Sequence, residues 1–261
     1  MEGLKDKVAI VTGAAGGLGT NICRTLAEKG IHIVMADNSS ALQEEFKKFK
    51  NEFPDNQGFS FKTDVTKEED VQNLVEETVK KFNKLDIMAN NAGVVQDMYE
   101  VADTPIDVFD KVLNVNLKGV FLGSKHAAKQ MKQQQFGTIV NTGSFYGKTG
   151  QKQFSCYCAS KAAVINFTQS LALELADYKV TANSVSPGNM ATEMHWKALR
   201  NEAEIREISF EEMKEKVIET IPLRRHGTGE DIAGAILYLA SEHGSYVTGQ
   251  ALNVNGGVEL H

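Results

Sequence analysis

Short apolar runs alternate with longer amphipathic stretches along this chain, and the alternation predicts its elements. Lys7-Val8-Ala9-Ile10-Val11-Thr12 is an apolar run that stops at a glycine cluster, after which Ile22, Leu26 and Ala27 recur at helical spacing. A short apolar run bounded by glycine suits a buried strand, and the 3.6-residue period marks the helix that follows. The unit then repeats. Residues 31–36 form an apolar run ahead of a charged helical stretch at 41–52. A strand around Phe59-Ser60-Phe61-Lys62 leads to a helix over 66–82, where Thr66 as N-cap and Glu69 predict a capping box. Residues 85–89 are a fourth strand. Strands and helices in this order predict a parallel sheet.

The second half continues the pattern. A helix is predicted over 106–133, then a β-branched strand, Thr138-Ile139-Val140-Asn141-Thr142, that ends at Gly143-Ser144. The helix at 154–175 is apolar nearly all round. One sheet cannot bury every side of such a helix, so a homo-oligomeric contact through it is expected. A strand at 180–186 ends in Pro187-Gly188, a helix covers 229–240 and a last strand covers 251–254. Residues 190–221 contain no comparable landmark.

Composition narrows the function. At 261 residues, 42% hydrophobic and 24% charged, without linker, repeat or low-complexity tract, the chain reads as one compact domain over 1–261. A net charge of -6 with no basic face argues against a nucleic-acid or anionic-membrane partner and for a small-molecule substrate. No apolar run approaches the ~20 residues of a membrane span, and no signal-peptide pattern precedes the first strand, so a cytoplasmic enzyme is expected. Cys23, Cys156 and Cys158 are an odd set with no metal-ligand spacing, which predicts neither a disulfide nor a metal site.

Two stretches carry chemistry. Gly13, Gly17, Leu18 and Gly19 lie between a strand and a helix, where backbone can approach a pyrophosphate and a helix N-terminus can hold it. Asp37 ends the second strand about 20 residues further on, the place for a carboxylate that hydrogen-bonds a ribose hydroxyl. In Tyr157-Cys158-Ala159-Ser160-Lys161 a helix would put the phenol and the ammonium on one face. There the cation would lower a phenol pKa of ~10 and make Tyr157 a usable proton acceptor or donor. Ser144 leaves the C-terminal end of a strand, where open α/β sheets bind ligands.

Ser144, Tyr157 and Lys161 at these separations, with Thr12-Gly13-x-x-x-Gly17-x-Gly19, resemble the short-chain dehydrogenases/reductases, and the resemblance covers essentially the whole chain. It implies a doubly wound Rossmann fold of about seven parallel strands. Asn116 matches the asparagine that completes the family's catalytic tetrad by holding a water beside the lysine. Asp64 and Val65 match its adenine-contacting turn, Asn90-Asn91-Ala92-Gly93 its cofactor-lining element, with Asn91 and Gly93 as contacts, and Thr192, beyond Pro187 and Gly188, its nicotinamide-contacting threonine. Tyr157 and Lys161 would also touch the cofactor. Neither Gly16 nor Asn38 supplies the base that NADP-preferring relatives use, so NAD is the expected cofactor. Such helices as 154–175 often pair between subunits within tetramers, and the segment at about 190–221 is a substrate lid in relatives. Asn255-Gly256-Gly257 departs from the usual Asp-Gly-Gly and is expected to concern only the terminus or an interface.

Lid length resembles that of relatives acting on sugar alcohols, acetoin or butanediol. A small polyol or diol is therefore expected, oxidised by hydride transfer to NAD, with Ser144, Tyr157, Gln151, His195 and Trp196 as contacts. Lys148, Lys152, His195 and Arg200 gathered around a phosphate would instead indicate a sugar-alcohol phosphate. Further alternatives are a 3-oxoacyl or hydroxysteroid reductase and, in another class, a non-catalytic NAD(H)-binding sensor.

Overall fold

The computed structural model describes residues 3–261. Seven strands, β1 (Val8–Thr12), β2 (His32–Asp37), β3 (Phe59–Lys62), β4 (Ile87–Asn90), β5 (Gly137–Thr142), β6 (Val180–Pro187) and β7 (Ala251–Val254), form one sheet in the order β3-β2-β1-β4-β5-β6-β7. Every pairing is parallel. The chain winds outward from β1 to β3, then returns to β4 on the other side of β1 and winds the opposite way. The crevice at the carboxyl ends of β1 and β4 is thus the topological switch point, where such sheets bind ligands.

Helices α1 (Gly17–Ala27) and α2 (Leu42–Glu52) cover one face of the sheet together with α9 (Gly229–Ala240). The other face is covered by α3 (Glu68–Phe82), α5 (Gly119–Gln134) and α6 (Ser155–Leu175). The central strands are buried on both sides, and their side chains alternate between two cores: Ala9 and Val11 of β1 face one, Ile10 the other. Between β6 and α9, α7 (Glu193–Ile205) and α8 (Phe210–Thr220) form a helical pair with a small core of its own, Leu199, Ala203 and Met213.

Two local expectations are corrected. Helix α3 starts at Glu68 after Lys67, and no capping box forms there. Thr66 instead donates its hydroxyl to Asp64 Oδ1 at 2.7 Å, and Asp70 Oδ2 accepts the Asp64 N–H at 2.9 Å, so the turn before the helix absorbs these groups. The long helix over 106–133 is α4 (Ile106–Leu113) and α5 joined by a π-helical turn, Asn114–Lys118. The turn rotates the fully buried Asn116 out of α-helical register, a bulge type frequent at functional sites.

Candidate active site

The glycine loop is shaped by close approach. Gly13 has φ +67°, and a Cβ there would lie 2.8 Å from the Ala92 Cα. A Cβ on Gly19 would run into the Gly13 carbonyl. At Gly17, by contrast, a Cβ would meet only Thr192, at 3.6 Å. This opening lies at the start of α1, whose N-cap is Gly16 with no capping side chain, so its first N–H groups are free for an anion. Asp37 is half-buried at the end of β2, where its carboxylate accepts the N–H groups of Ala15 (2.9 Å) and Ser39 (2.8 Å). Asp64 sits at the end of the β3 segment. Burial opposes its ionisation, but hydrogen bonds from Thr66, with Lys67 and Lys118 nearby, hold its carboxyl below the usual range. Val65 packs where Gly119 leaves room for it.

Thr12 Oγ1 accepts from the N–H groups of Asn91 (3.0 Å) and Ala92 (3.1 Å), and Asn91 Nδ2 donates to the Thr12 carbonyl at 3.1 Å, joining the ends of β1 and β4. Asn91 Oδ1 stays buried without a partner among the described residues. Free helix N–H groups, an open glycine face, an unpartnered amide oxygen and the carboxylate at the end of β2 together fit a dinucleotide along this crevice.

A cavity of about 630 Å³ continues from it. Leu18, Asn91, Gly93, Pro187, Gly188 and Thr192 line its crevice end, and Ser144, Tyr157, Lys161, Gln151 and His195 line the remainder. Gly13, Gly17, Gly19, Asp37, Asp64 and Val65 lie outside that lining, along the loop and strand ends beyond it.

Ser144 follows β5, and its Oγ accepts the Tyr146 N–H at 3.2 Å. Lys161 is 3% exposed, its Nζ 5.7 Å from the centroid of the Tyr157 ring and donating to the Thr142 carbonyl at 2.7 Å. Burial lowers its pKa to about 8. Burial also pushes the Tyr157 phenol above its ordinary value, while the Ser144 side chain pulls the other way. Lys161 does not bring the expected lowering of the phenol in the chain alone: desolvation governs both groups and penalises both charged forms. A second tyrosine in the cavity, Tyr146, is pushed up to about 12 by burial and then by Glu202.

Asn116 stands behind the cavity wall. Its Oδ1 accepts the Val94 N–H (2.8 Å), and its Nδ2 donates to the Val94 carbonyl (2.9 Å) and to Ser160 Oγ (3.1 Å). A Cβ on Gly93 would sit 3.4 Å from Asn116 Oδ1 and 3.5 Å from Lys161 Nζ, so the glycine keeps the space between these two groups clear.

The substrate expectations divide. Gln151 and His195 line the cavity; burial, then His226, lower the His195 pKa to about 4, and its Nε2 is buried without a partner among the described residues. Trp196 does not line the cavity. It packs with the core of the α7–α8 pair, edge-on to Phe210 (6.0 Å between centroids) and to His226 (4.8 Å), because its side of α7 faces α8. No phosphate-binding cluster forms either. Lys148 donates to the Ala251 carbonyl, Lys152 lies 3.7 Å from Glu100, Arg200 pairs with Glu193, and His195 is neutral. Asn255 donates to the Glu259 carbonyl at 2.8 Å, so its departure from aspartate anchors the C-terminal tail, whose Val258 and Glu259 line the cavity. Nothing in the periodicity around the tail, Tyr146 or Glu202 marked them.

A family model described as Enoyl-(Acyl carrier protein) reductase matches residues 13–259. The chain is 35% identical over 258 residues to a 3-oxoacyl-[acyl-carrier-protein] reductase of Rickettsia felis, covering 99% of each chain. It is 35% identical over 257 residues to an NAD-dependent glycerol dehydrogenase of Listeria innocua, covering 98% of this chain and 95% of that one. Among solved structures, NAD+-bound xylitol dehydrogenase superposes with a TM-score of 0.92 at 33% identity over 98% of this chain and all of that one. An actinorhodin polyketide ketoreductase with NADPH superposes with a TM-score of 0.93 at 31% identity over the full length of both.

Proposed function

The chain belongs to the short-chain dehydrogenase/reductase family, oxidoreductases acting on CH–OH groups with a nicotinamide cofactor, and we propose that it is an NAD-dependent dehydrogenase of a small polyol, sugar alcohol or diol. The observation that carries the chemistry is the convergence of Ser144, Tyr157 and Lys161 on one cavity at the switch point of the sheet. A nicotinamide held in the crevice would supply the hydride-accepting chemistry. Tyr157 takes the proton of the substrate hydroxyl at its phenol oxygen, and Ser144 hydrogen-bonds the same substrate oxygen. Lys161, still largely protonated at neutral pH with a pKa of about 8, would stand as a cation near the phenol that favours its ionised form, and would hold the nicotinamide ribose. Asn116 holds a water in the space beside Gly93, through which the proton passes onward from Lys161.

Asp37 supports NAD: its carboxylate would accept from the adenosine 2′-hydroxyl and repel a 2′-phosphate, and positions 16 and 38 carry no base. Gly13, Gly17, Leu18 and Gly19 would hold the pyrophosphate, Asp64 and Val65 the adenine, and Asn91, Gly93, Pro187, Gly188 and Thr192 the nicotinamide half. The α7–α8 pair, within 190–221, closes over the substrate. Gln151 and the neutral His195, with its unpartnered Nε2, meet substrate hydroxyls. The exposed face of α6, where Leu173 is 82% exposed, supports a homotetramer, and the acidic chain with three free cysteines supports work in the cytoplasm.

One observation favours a second reading. A side cavity of about 220 Å³ adjoins the main one, with apolar Val94, Val95, Met98, Phe154 and Met194 in its wall beside polar Gln96, Asp97, Lys111, Lys197 and Asn201, and its apolar part would take a short alkyl portion of a 3-oxoacyl thioester. The deciding experiment follows NADH absorbance with glycerol, xylitol, sorbitol, 2,3-butanediol and a 3-hydroxyacyl thioester, using wild type and Tyr157→Phe. The proposal expects turnover of a polyol or diol and a 10²-fold or greater loss in Tyr157→Phe, in keeping with the ~10²–10⁴-fold value of general acid–base catalysis. Preference for the thioester overturns the substrate reading. Tight NADH binding without turnover of any alcohol or ketone indicates the sensor.

A further inference from the structure

Helix α6 carries Tyr157 but begins without a cap of its own. Its N-cap is Phe154, which has no side-chain acceptor for the orphaned N–H groups of the first turn. The N–H of Tyr157, third residue of the helix, is accepted by Oε1 of Gln96 at 2.9 Å, from a loop 61 residues earlier. The other end of the same amide, Nε2, donates at 3.3 Å to the carbonyl of Gln153. Gln153 has φ +68°, a left-handed conformation that is strained for a non-glycine residue. That carbonyl also accepts from the Tyr99 N–H at 3.2 Å. The amide of Gln96, only 4% exposed, therefore holds both the strained residue that turns the chain into α6 and the backbone of Tyr157.

We propose that Gln96 is a positioning residue that sets the place of the Tyr157 phenol by capping its helix from outside. The proposal rests on Tyr157 being the acid–base. Two residues before Gln96, Val94 has its N–H and carbonyl both held by Asn116, whose Nδ2 also donates to Ser160 Oγ, and Ser160 Oγ donates to the Tyr157 carbonyl at 2.7 Å. Tyr157 is thus held at its N–H through Gln96 and at its carbonyl through Ser160, and both supports lead back to Asn116. Freed of one of them, the first turn of α6 frays as uncapped turns do, and the phenol loses its fixed distance to Ser144 and Lys161. A misplacement of about 1 Å in a reacting group can cost ~10²-fold in rate.

The test compares Gln96→Met, which keeps the volume and removes both polar ends, with Gln96→Glu, which keeps an acceptor for the Tyr157 N–H. Oxidation of xylitol, or of whichever polyol in the panel turns over fastest, is measured at its alkaline plateau, with NADH binding and Tm recorded for each protein. The expected result is a kcat at least ten-fold lower in Gln96→Met, with KM and NADH affinity within about three-fold of wild type, and recovery of most of that loss in Gln96→Glu. A lower Tm with kcat within two-fold of wild type in Gln96→Met overturns the proposal, and so does a Gln96→Glu enzyme no faster than Gln96→Met. If Gln96→Met does not fold, Gln96→Glu decides alone: kcat more than ten-fold below wild type refutes the capping role. Tyr157→Phe separates the two levels. Activity retained there removes the acid–base reading and this proposal with it, whereas an inactive Tyr157→Phe beside a fully active Gln96→Met removes only the proposal.

Discussion

Replacing Lys161 by methionine should abolish turnover while changing how stability depends on pH. Lys161 is 3% exposed and its one hydrogen-bond partner among the described residues is the Thr142 carbonyl, so folding strips water from an ammonium and returns a single hydrogen bond. Its pKa falls from 10.5 to about 8 as a result. The sign follows from proton counting: between these two values the unfolded chain keeps the lysine proton and the native chain has released it, so stability rises with pH across that window. Integrated from pH 7 to 9.5, the rise is about 2 kcal/mol, as order of magnitude, toward a limit of about 3.4 kcal/mol from 2.5 pH units at 1.36 kcal/mol each. Cys23, whose pKa burial raises, pulls the opposite way at the alkaline end, but it is present in both proteins and cancels in the difference. Urea unfolding of wild type and Lys161→Met without cofactor, at one protein concentration and several pH values, reads that difference directly. At pH 7 the methionine removes the buried charge but orphans the Thr142 carbonyl, a cost of about 1–3 kcal/mol, so the two proteins should differ little there. By pH 9.5 the wild type should have gained about 2 kcal/mol on the variant. A difference that stays constant from pH 7 to 9.5 refutes the argument that this lysine is held in a desolvated site.

Asp37→Asn removes the carboxylate charge while keeping one oxygen for the Ala15 or Ser39 N–H, and should narrow the NAD preference at least ten-fold, about 1.4 kcal/mol, in kcat/KM for the two cofactors. Cys158 is half-exposed beside Tyr157, but burial raises its thiol pKa and keeps it a poor nucleophile. Cys158→Ala should therefore stay within about two-fold of wild-type activity, and iodoacetamide at pH 7.5 should inactivate the enzyme no faster than a simple alkyl thiol reacts. Leu173→Glu places a charge on the exposed face of α6 and, if the proposed tetramer forms through that face, should give smaller species than wild type in size-exclusion chromatography with light scattering, leaving the far-UV dichroism unchanged.

The parts legible in the sequence are those fixed by contacts near in the chain or by a repeating period. The seven strands follow from short apolar or β-branched runs and most helices from the 3.6-residue period, and the glycine loop and Asp37 follow from their place at the ends of two such strands. Tyr157 and Lys161 share a helix face because four residues make about one turn, and Ser144 joins them because it leaves the neighbouring strand end. Other features depended on packing between distant segments. Trp196 was expected to meet substrate, but a helix has several faces and the one carrying its indole packs against α8. Lys148, Lys152 and Arg200 lie close in sequence to the cavity residues, yet each is drawn to its own partner and none to the others. The π-turn that buries Asn116 and the amide of Gln96 that caps α6 carry no period at all, since each answers an orphaned group from a remote segment. Even the Tyr157 pKa changed direction, because charge attraction can be read from a spacing, whereas desolvation depends on how completely the rest of the chain closes around the site.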